Sequence, residues 1–226
     1  MAEKASVFQS TIKPVLVMTV FSFLSAGLLA LVSNATAEQI AKTDAAVKKD
    51  ALSVVMPEGV TPRVENPVLL TLNEQKQVKA YPGFDAAGNL AAIAVETYGE
   101  KGYSGRIDLL AGFSGVGAAG ELKVTRYFIL QHKETPGLGS KATVCQTAKS
   151  VEDCPKGTFW LPFAGLPVDE TLLQVKKDNP AGRIDGITAS TITSRAVTGA
   201  VRESGLYVKA NLDNLKAQFA KAGGAK

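Results

Sequence analysis

From Pro14 to Ala37 the chain carries no charged side chain: PVLVMTVFSFLSAGLLALVSNATA. As a helix this stretch is long enough to cross a hydrocarbon core of about 30 Å. It constrains the whole architecture, because a segment satisfied by lipid has to be followed by a separately folded part. The competing reading is a secretory signal, and ATA at 35–37 resembles its small-residue cleavage site. The apolar run from Val15 to Val32 nevertheless exceeds the usual signal core of about 7–15 residues. The expectation is an uncleaved transmembrane helix over 14–35. Lys4 and Lys13 precede it, whereas Glu38, Lys42 and Asp44 follow as a mixed set. That bias favours a short cytoplasmic N-terminus over 1–13, with the bulk of the chain on the other side.

Apolar residues make up 46% of the chain and charged ones 20%, which suits a folded core. The net charge of +4 is spread out, and Lys176 and Lys177 come nearest to a cluster. A nucleic-acid footprint needs more than this. One His and two Cys exclude a multi-histidine metal site and a tetrahedral zinc site, so no metal is expected. Cys145 and Cys154 can close a small loop as a disulfide in an oxidising compartment, and would stay thiols in a reducing one.

Residues 38–55 are rich in Ala and charge at helical spacing. They suggest a helical connector over 36–58 that continues or stacks beside the span. The folded domain then runs over 59–226. KQVKAYPGFDAAGNLAAIAVETYG contains two strands around a Gly-Asn turn. GRIDLLAGFS and ELKVTRYFILQ read as paired strands linked by Gly115–Gly120. Residues 140–157 read as a polar loop, with Trp160 and Phe163 beyond it as packing anchors. DETLLQVKK reads as a short helix or turn feeding a strand. Two helices close the chain. The fold class is α+β: an antiparallel sheet with helices packed on it, preceded by one N-terminal transmembrane helix.

Two stretches carry chemistry. In DGITASTITSRAV (185–197), five of the seven residues from Thr188 to Ser194 bear hydroxyls, just where a helix begins. One hydroxyl suffices for a cap. Unpaired backbone N–H groups and the helix dipole suit such a start to a phosphate. Lys176 and Lys177 are candidates to add charge there. The alternative is a capping cluster with surplus hydroxyls. The second stretch, QHKETPGLGSK (131–141), holds the single His, an acid and a Pro-Gly-Leu-Gly turn. Gly139 would leave no Cβ in the way of a ligand.

With these stretches the chain resembles the FMN-binding domain family. Within it, the resemblance is to the G subunits of Rnf ion-translocating electron-transport complexes, relatives of the C subunits of sodium-pumping NADH:quinone oxidoreductases. It rests on the single N-terminal span, GYSGRIDLLAGF (102–113), HKETPGLG (132–139) and DGITASTITSRAV, and it covers nearly the whole chain. In that family FMN is attached through its phosphate to the last Thr of an Asp-x-x-Ser/Thr-Gly-Ala-Thr motif, by a separate flavin transferase that uses FAD. By position, Asp185 opens the motif and Thr188 matches its Ser/Thr. Ala189 stands for Gly, Ser190 for Ala, and Thr191 is the acceptor. Ala189 cannot take a positive φ as cheaply as Gly does.

The resemblance implies a membrane-anchored redox subunit without substrate turnover of its own. It would carry one covalent FMN on the extracytoplasmic side of the cytoplasmic membrane and work with other membrane subunits. Cofactor contacts are expected from Thr191, Glu134, Thr135, Leu138, Gly139, Lys176, Thr188, Ser190 and Thr193. Asp185, His132 and Arg195 would give support, with His132 bracing the turn rather than moving protons. A tethered non-catalytic binding module and a stand-alone extracytoplasmic flavin reductase are the alternative readings.

Overall fold

The uncharged stretch lies within a single helix, α1 (Ala2–Val55), in the computed structural model, which describes residues 2–65, 67–73, 76–116, 121–148 and 152–223. The chain divides into two compact units, 1–46 and 47–226. In the first, the side chains from 12 to 46 are exposed along the helix. The most apolar 18-residue window has a mean hydropathy of 2.5, and among the described residues this is the one helix apolar and long enough to cross a membrane. Both threonines of the uncharged stretch are satisfied on the helix's own backbone: Thr19 donates to the Val15 carbonyl (2.8 Å) and Thr36 to that of Val32 (2.9 Å). A bilayer demands this kind of internal pairing. Residues 38–55 continue the same helix rather than forming a second one beside it.

The second unit is built on a six-stranded antiparallel sheet. Its strands are β1 (Thr61–Pro62), β2 (Val68–Leu72), β3 (Lys76–Phe84), β4 (Leu90–Gly102), β5 (Gly105–Ser114) and β6 (Lys123–Gln131). The spatial order is β1-β3-β4-β5-β6, with β2 also paired to β3. β3 turns into β4 at 85–89, where Asp85 accepts the backbone N–H groups of Ala87 (2.9 Å) and Asn89 (2.8 Å). β4 and β5 pair from Ala92↔Ser114 to Gly99↔Ile107 and close at the Gly102–Gly105 turn. The 115–120 link lies partly outside the described residues.

Both faces of the sheet are covered, so its central strands read as nearly unbroken apolar runs. Ile93, Val95, Ile107, Leu109, Phe113, Tyr127 and Ile129 share a core with two helices, α2 (Thr191–Ala210) and α3 (Leu212–Gly223). The intervening Ala92, Ala94, Leu110 and Phe128 meet the buried end of α1 at Ala51, Leu52 and Val55. There the Val55 carbonyl comes so close to Gly112 that a Cβ on Gly112 would overlap it, and it accepts the Thr125 hydroxyl.

Residues 140–157 are less loop-like than their polarity suggests. A 3-10 turn at Gly139–Thr143 hangs on β6, where the buried Tyr127 hydroxyl donates to the Ala142 carbonyl (2.8 Å). The Gln146 amide accepts the Ile129 N–H (3.2 Å) and donates to the Ile129 carbonyl (3.4 Å), pairing with the β6 edge. Arg126 donates to the carbonyls of Ala148 (2.6 Å) and Cys145 (3.1 Å) and stacks 4.0 Å from the Trp160 ring centroid. Cys145 and Cys154 form a disulfide. Trp160 and Phe163 are buried, as packing anchors should be. DETLLQVKK feeds no strand: it folds into turns, with one isolated parallel bridge between Val175 and Ile184. Asp169 accepts the N–H groups of Thr171 (2.8 Å) and Leu172 (2.9 Å), which winds the chain while Leu173 is buried.

These turns carry a pH signature. Backbone hydrogen bonds, from Leu172 first and Thr171 next, hold the Asp169 carboxyl below its ordinary range, and the Asn89 N–H does the same for Asp85. Their folded pKa values are lower than the unfolded value of about 3.9. Their stabilisation is therefore present above that value and lost as pH falls through the folded values. The thermal midpoint of the detergent-solubilised chain should hold level down to about pH 5 and fall below about pH 4. In an Asp85→Asn, Asp169→Asn double variant the decline should be shallower.

Candidate functional site

Three segments far apart in sequence converge on one carboxyl group. The Glu134 side chain is buried, with 6% of its surface exposed. Oε1 accepts the N–H of Ser104 (3.0 Å) in the β4–β5 turn, and Oε2 accepts the hydroxyl of Thr193 in the first turn of α2. His132 Nδ1 in turn accepts the N–H of Glu134 (3.1 Å). A buried polar group needs such partners, and their loss would strand it.

Around this anchor opens a cleft of about 480 Å³, lined by Tyr103, Glu134, Thr135, Leu138, Gly139 and residues 189–193. The 135–140 turn is fixed by hydrogen bonds from Leu138 N–H (3.2 Å) and Ser140 N–H (3.3 Å) to the Thr135 carbonyl. The Ser140 hydroxyl accepts the Gly137 N–H (2.9 Å). Gly139 lines the cleft and has a structural task as well. A Cβ on it would run into the carboxyl of Glu134 and the hydroxyl of Thr193, so its bareness seats the turn on the Glu134 anchor.

The five hydroxyls of the helix start divide their tasks. Ser194 accepts the Ile187 N–H (2.9 Å) and donates to the Ser190 carbonyl (2.9 Å), closing the turn that leads into α2. Thr193 serves Glu134. Ser190 occupies the N-cap position and is buried, yet its side chain makes no capping bond. Thr188 is exposed and outside the cleft lining. Thr191 is the first residue of α2, half-buried on the cleft, and its hydroxyl has no partner among the described residues. The hydroxyl cluster is therefore not a set of caps, and the first turn of α2 has no side-chain cap among the described residues.

Glu134, Thr135, Leu138, Gly139, Ser190, Thr191 and Thr193 thus meet at one cleft, whereas other candidates lie outside its lining. Lys176 pairs with Asp185 (2.8 Å) on the surface. Arg195 grips Asp178 through Nε (2.7 Å) and Nη2, and that bond holds the Asp178 carboxyl below its usual range. His132 stands behind Glu134. The sequence reading missed Tyr103 and Ile192, which line the cleft with 70% and 46% exposure. The signal for Ile192 was a large apolar residue in a helix start otherwise rich in hydroxyls. For Tyr103 it was an aromatic between two turn glycines.

Ala189 sits at φ +63°, in the left-handed region. For a residue with a Cβ this costs about 1–2 kcal/mol, part of which Gly gives back as extra freedom in the unfolded chain. Ala189→Gly should stabilise the domain by about 0.5–1 kcal/mol. Ala189→Val should destabilise it. Thermal midpoints of the two variants check the opposite signs.

The FMN-binding domain profile matches residues 102–204. The G subunit of the ion-translocating oxidoreductase complex of Vibrio atlanticus is 32% identical over 216 residues, covering 92% of this chain and 95% of that protein. The protein of the same name from Methanosarcina acetivorans is 30% identical over 198 residues, covering 88% and 94%. The crystal structure of Shewanella oneidensis NqrC superposes with a TM-score of 0.50 at 15% identity, covering 78% of this chain and 99% of that one.

Proposed function

The chain belongs to the FMN-binding domain family, among the G subunits of ion-translocating oxidoreductase complexes, and from that premise we propose that it carries a covalent FMN on Thr191 and relays electrons within such a complex. The observation that carries the attachment site is the state of the Thr191 hydroxyl. Of the five hydroxyls in the cluster, those of Ser190 and Thr191 line the cleft without an internal bond among the described residues, and of these two Ser190 is buried at 8% exposure whereas Thr191 is only half-buried. The uncapped N–H groups of the α2 first turn suit a phosphate at the same place. The cleft has the volume and the mixed lining of a cofactor site: Tyr103, Leu138 and Ile192 offer apolar surface, with Thr135 and the Glu134 anchor on the polar side.

Attachment by a flavin transferase gives the Thr191 oxygen a bond to the FMN phosphorus of FAD. The anhydride bond to AMP breaks, and the hydroxyl proton is released. The bound flavin supplies the redox chemistry, and the chain's own residues hold and orient it. Glu134 ties both walls of the cleft to the start of α2, so that Thr191 and the 135–139 turn keep a fixed spacing. The Cys145–Cys154 disulfide supports an extracytoplasmic domain, with residues 1–13 on the cytoplasmic side and other membrane subunits as partners. A covalent bond suits that location, where a lost flavin is not easily replaced.

In Thr191→Val the shape of the side chain is kept and the nucleophilic oxygen is removed. Flavin fluorescence in a denaturing gel should disappear from this variant and persist in Ser190→Ala. Full fluorescence of the Thr191→Val band would refute the assignment. For the side of the membrane, a membrane-impermeant thiol reagent applied to intact cells should label neither cysteine without reductant and both after it. Labelling that requires cell lysis as well as reductant would put the domain in the cytoplasm.

A further inference from the structure

We infer that Arg195 supplies the counter-charge to the phosphodiester on Thr191, held ready for it by Asp178; the inference rests on the covalent reading above. Glu134 is the only ionisable acid or base of the cleft lining apart from Tyr103, and no cation is among those residues. An anionic ester there gains from the helix dipole, but that amounts to about half a charge. A full positive charge has to come from nearby.

Lys176 and Arg195 are the site candidates among the cations near the motif, which also include Lys177 and Arg183. The Lys176 ammonium is already paired at 2.8 Å with Asp185. Arg195 lies four residues beyond Thr191 in α2, and so on the same face, about 6 Å along the axis. At this spacing a guanidinium can reach the turn that bears Thr191, and in this structure it borders the neighbouring cavity with Gln174, Asp178 and Thr198. Asp178 takes Nε and Nη2 and thereby fixes the guanidinium plane. Nη1 has no acceptor among the described residues, and Arg195 remains half exposed. The guanidinium cannot lose its charge, so this donor is constant across pH.

The experiment measures the rate of flavin attachment to the full-length chain by a purified flavin transferase with FAD, read by in-gel fluorescence. It compares the wild type with Arg195→Gln, Arg195→Lys and Asp178→Asn. Arg195→Gln should slow attachment about tenfold, the weight of one charge-assisted hydrogen bond. Arg195→Lys and Asp178→Asn keep a cation and should stay within about threefold of the wild type. Both also break the bidentate pair, so a purely structural role would slow them as much as Arg195→Gln. Such a result would overturn the inference, as would an Arg195→Gln rate equal to that of the wild type. If Arg195→Gln fails to accumulate, the other two variants decide by the same criterion. A second readout is the 31P resonance of the ester, which should shift between wild type and Arg195→Lys; an unchanged resonance counts against the contact. A wild type that takes up no covalent flavin would refute the proposed function, and this inference with it.

Discussion

The Glu134 carboxyl holds the site together. It is buried, and its two oxygens are taken by groups that stand 30 residues before it and 59 residues after it in the chain. A buried carboxyl left without partners is costly, so each partner is held as firmly as the carboxyl itself. This explains why neighbouring positions are so constrained. Gly139 lies against the same carboxyl with no room for a Cβ, and His132 fixes the backbone N–H from which the side chain departs. The cleft is the space left between the segments that Glu134 gathers.

The sheet gives this anchor a rigid base. β4 and β5 are buried on both faces, with α2 and α3 on one side and the last turns of α1 on the other. The end of α1 is thus a structural part of the second unit, packed through Ala51, Leu52 and Val55. On the far edge, β6 is covered by the 139–148 segment, which the Gln146 amide, Arg126 and the disulfide secure. The same segment begins at Gly139. One wall of the cleft is therefore continuous with the covering of the sheet edge.

The start of α2 shows how one composition serves several ends. Ser194 closes the preceding turn, Thr193 completes the anchor, and Thr191 is left without an internal partner among the described residues. A run of hydroxyls is ambiguous in sequence because Ser and Thr compete for backbone groups in many local geometries. Ala189 in the left-handed region is a local strain of the kind that accompanies functional turns.

The sequence alone determined the apolar span, the α+β class, the strands on either side of the Gly102–Gly105 turn, and the two stretches at 132–139 and 185–197. Each is written in local patterning, with charge-free length, alternation or turn residues visible within a window of a few tens of residues. The sequence also made Glu134, Leu138, Gly139 and Thr191 candidates. It left open how they would be arranged, and it passed over Tyr103 and Ile192, because nothing local marks an apolar residue as facing a cleft rather than a core. Tertiary structure decided the rest. It set Gly139 against Glu134, turned Lys176 toward Asp185 and away from the cleft, committed Thr193 to the anchor and left Thr191 open. These outcomes follow from pairings between segments distant in the chain, and such pairings depend on which buried polar group finds which partner once the sheet and α2 have closed over them.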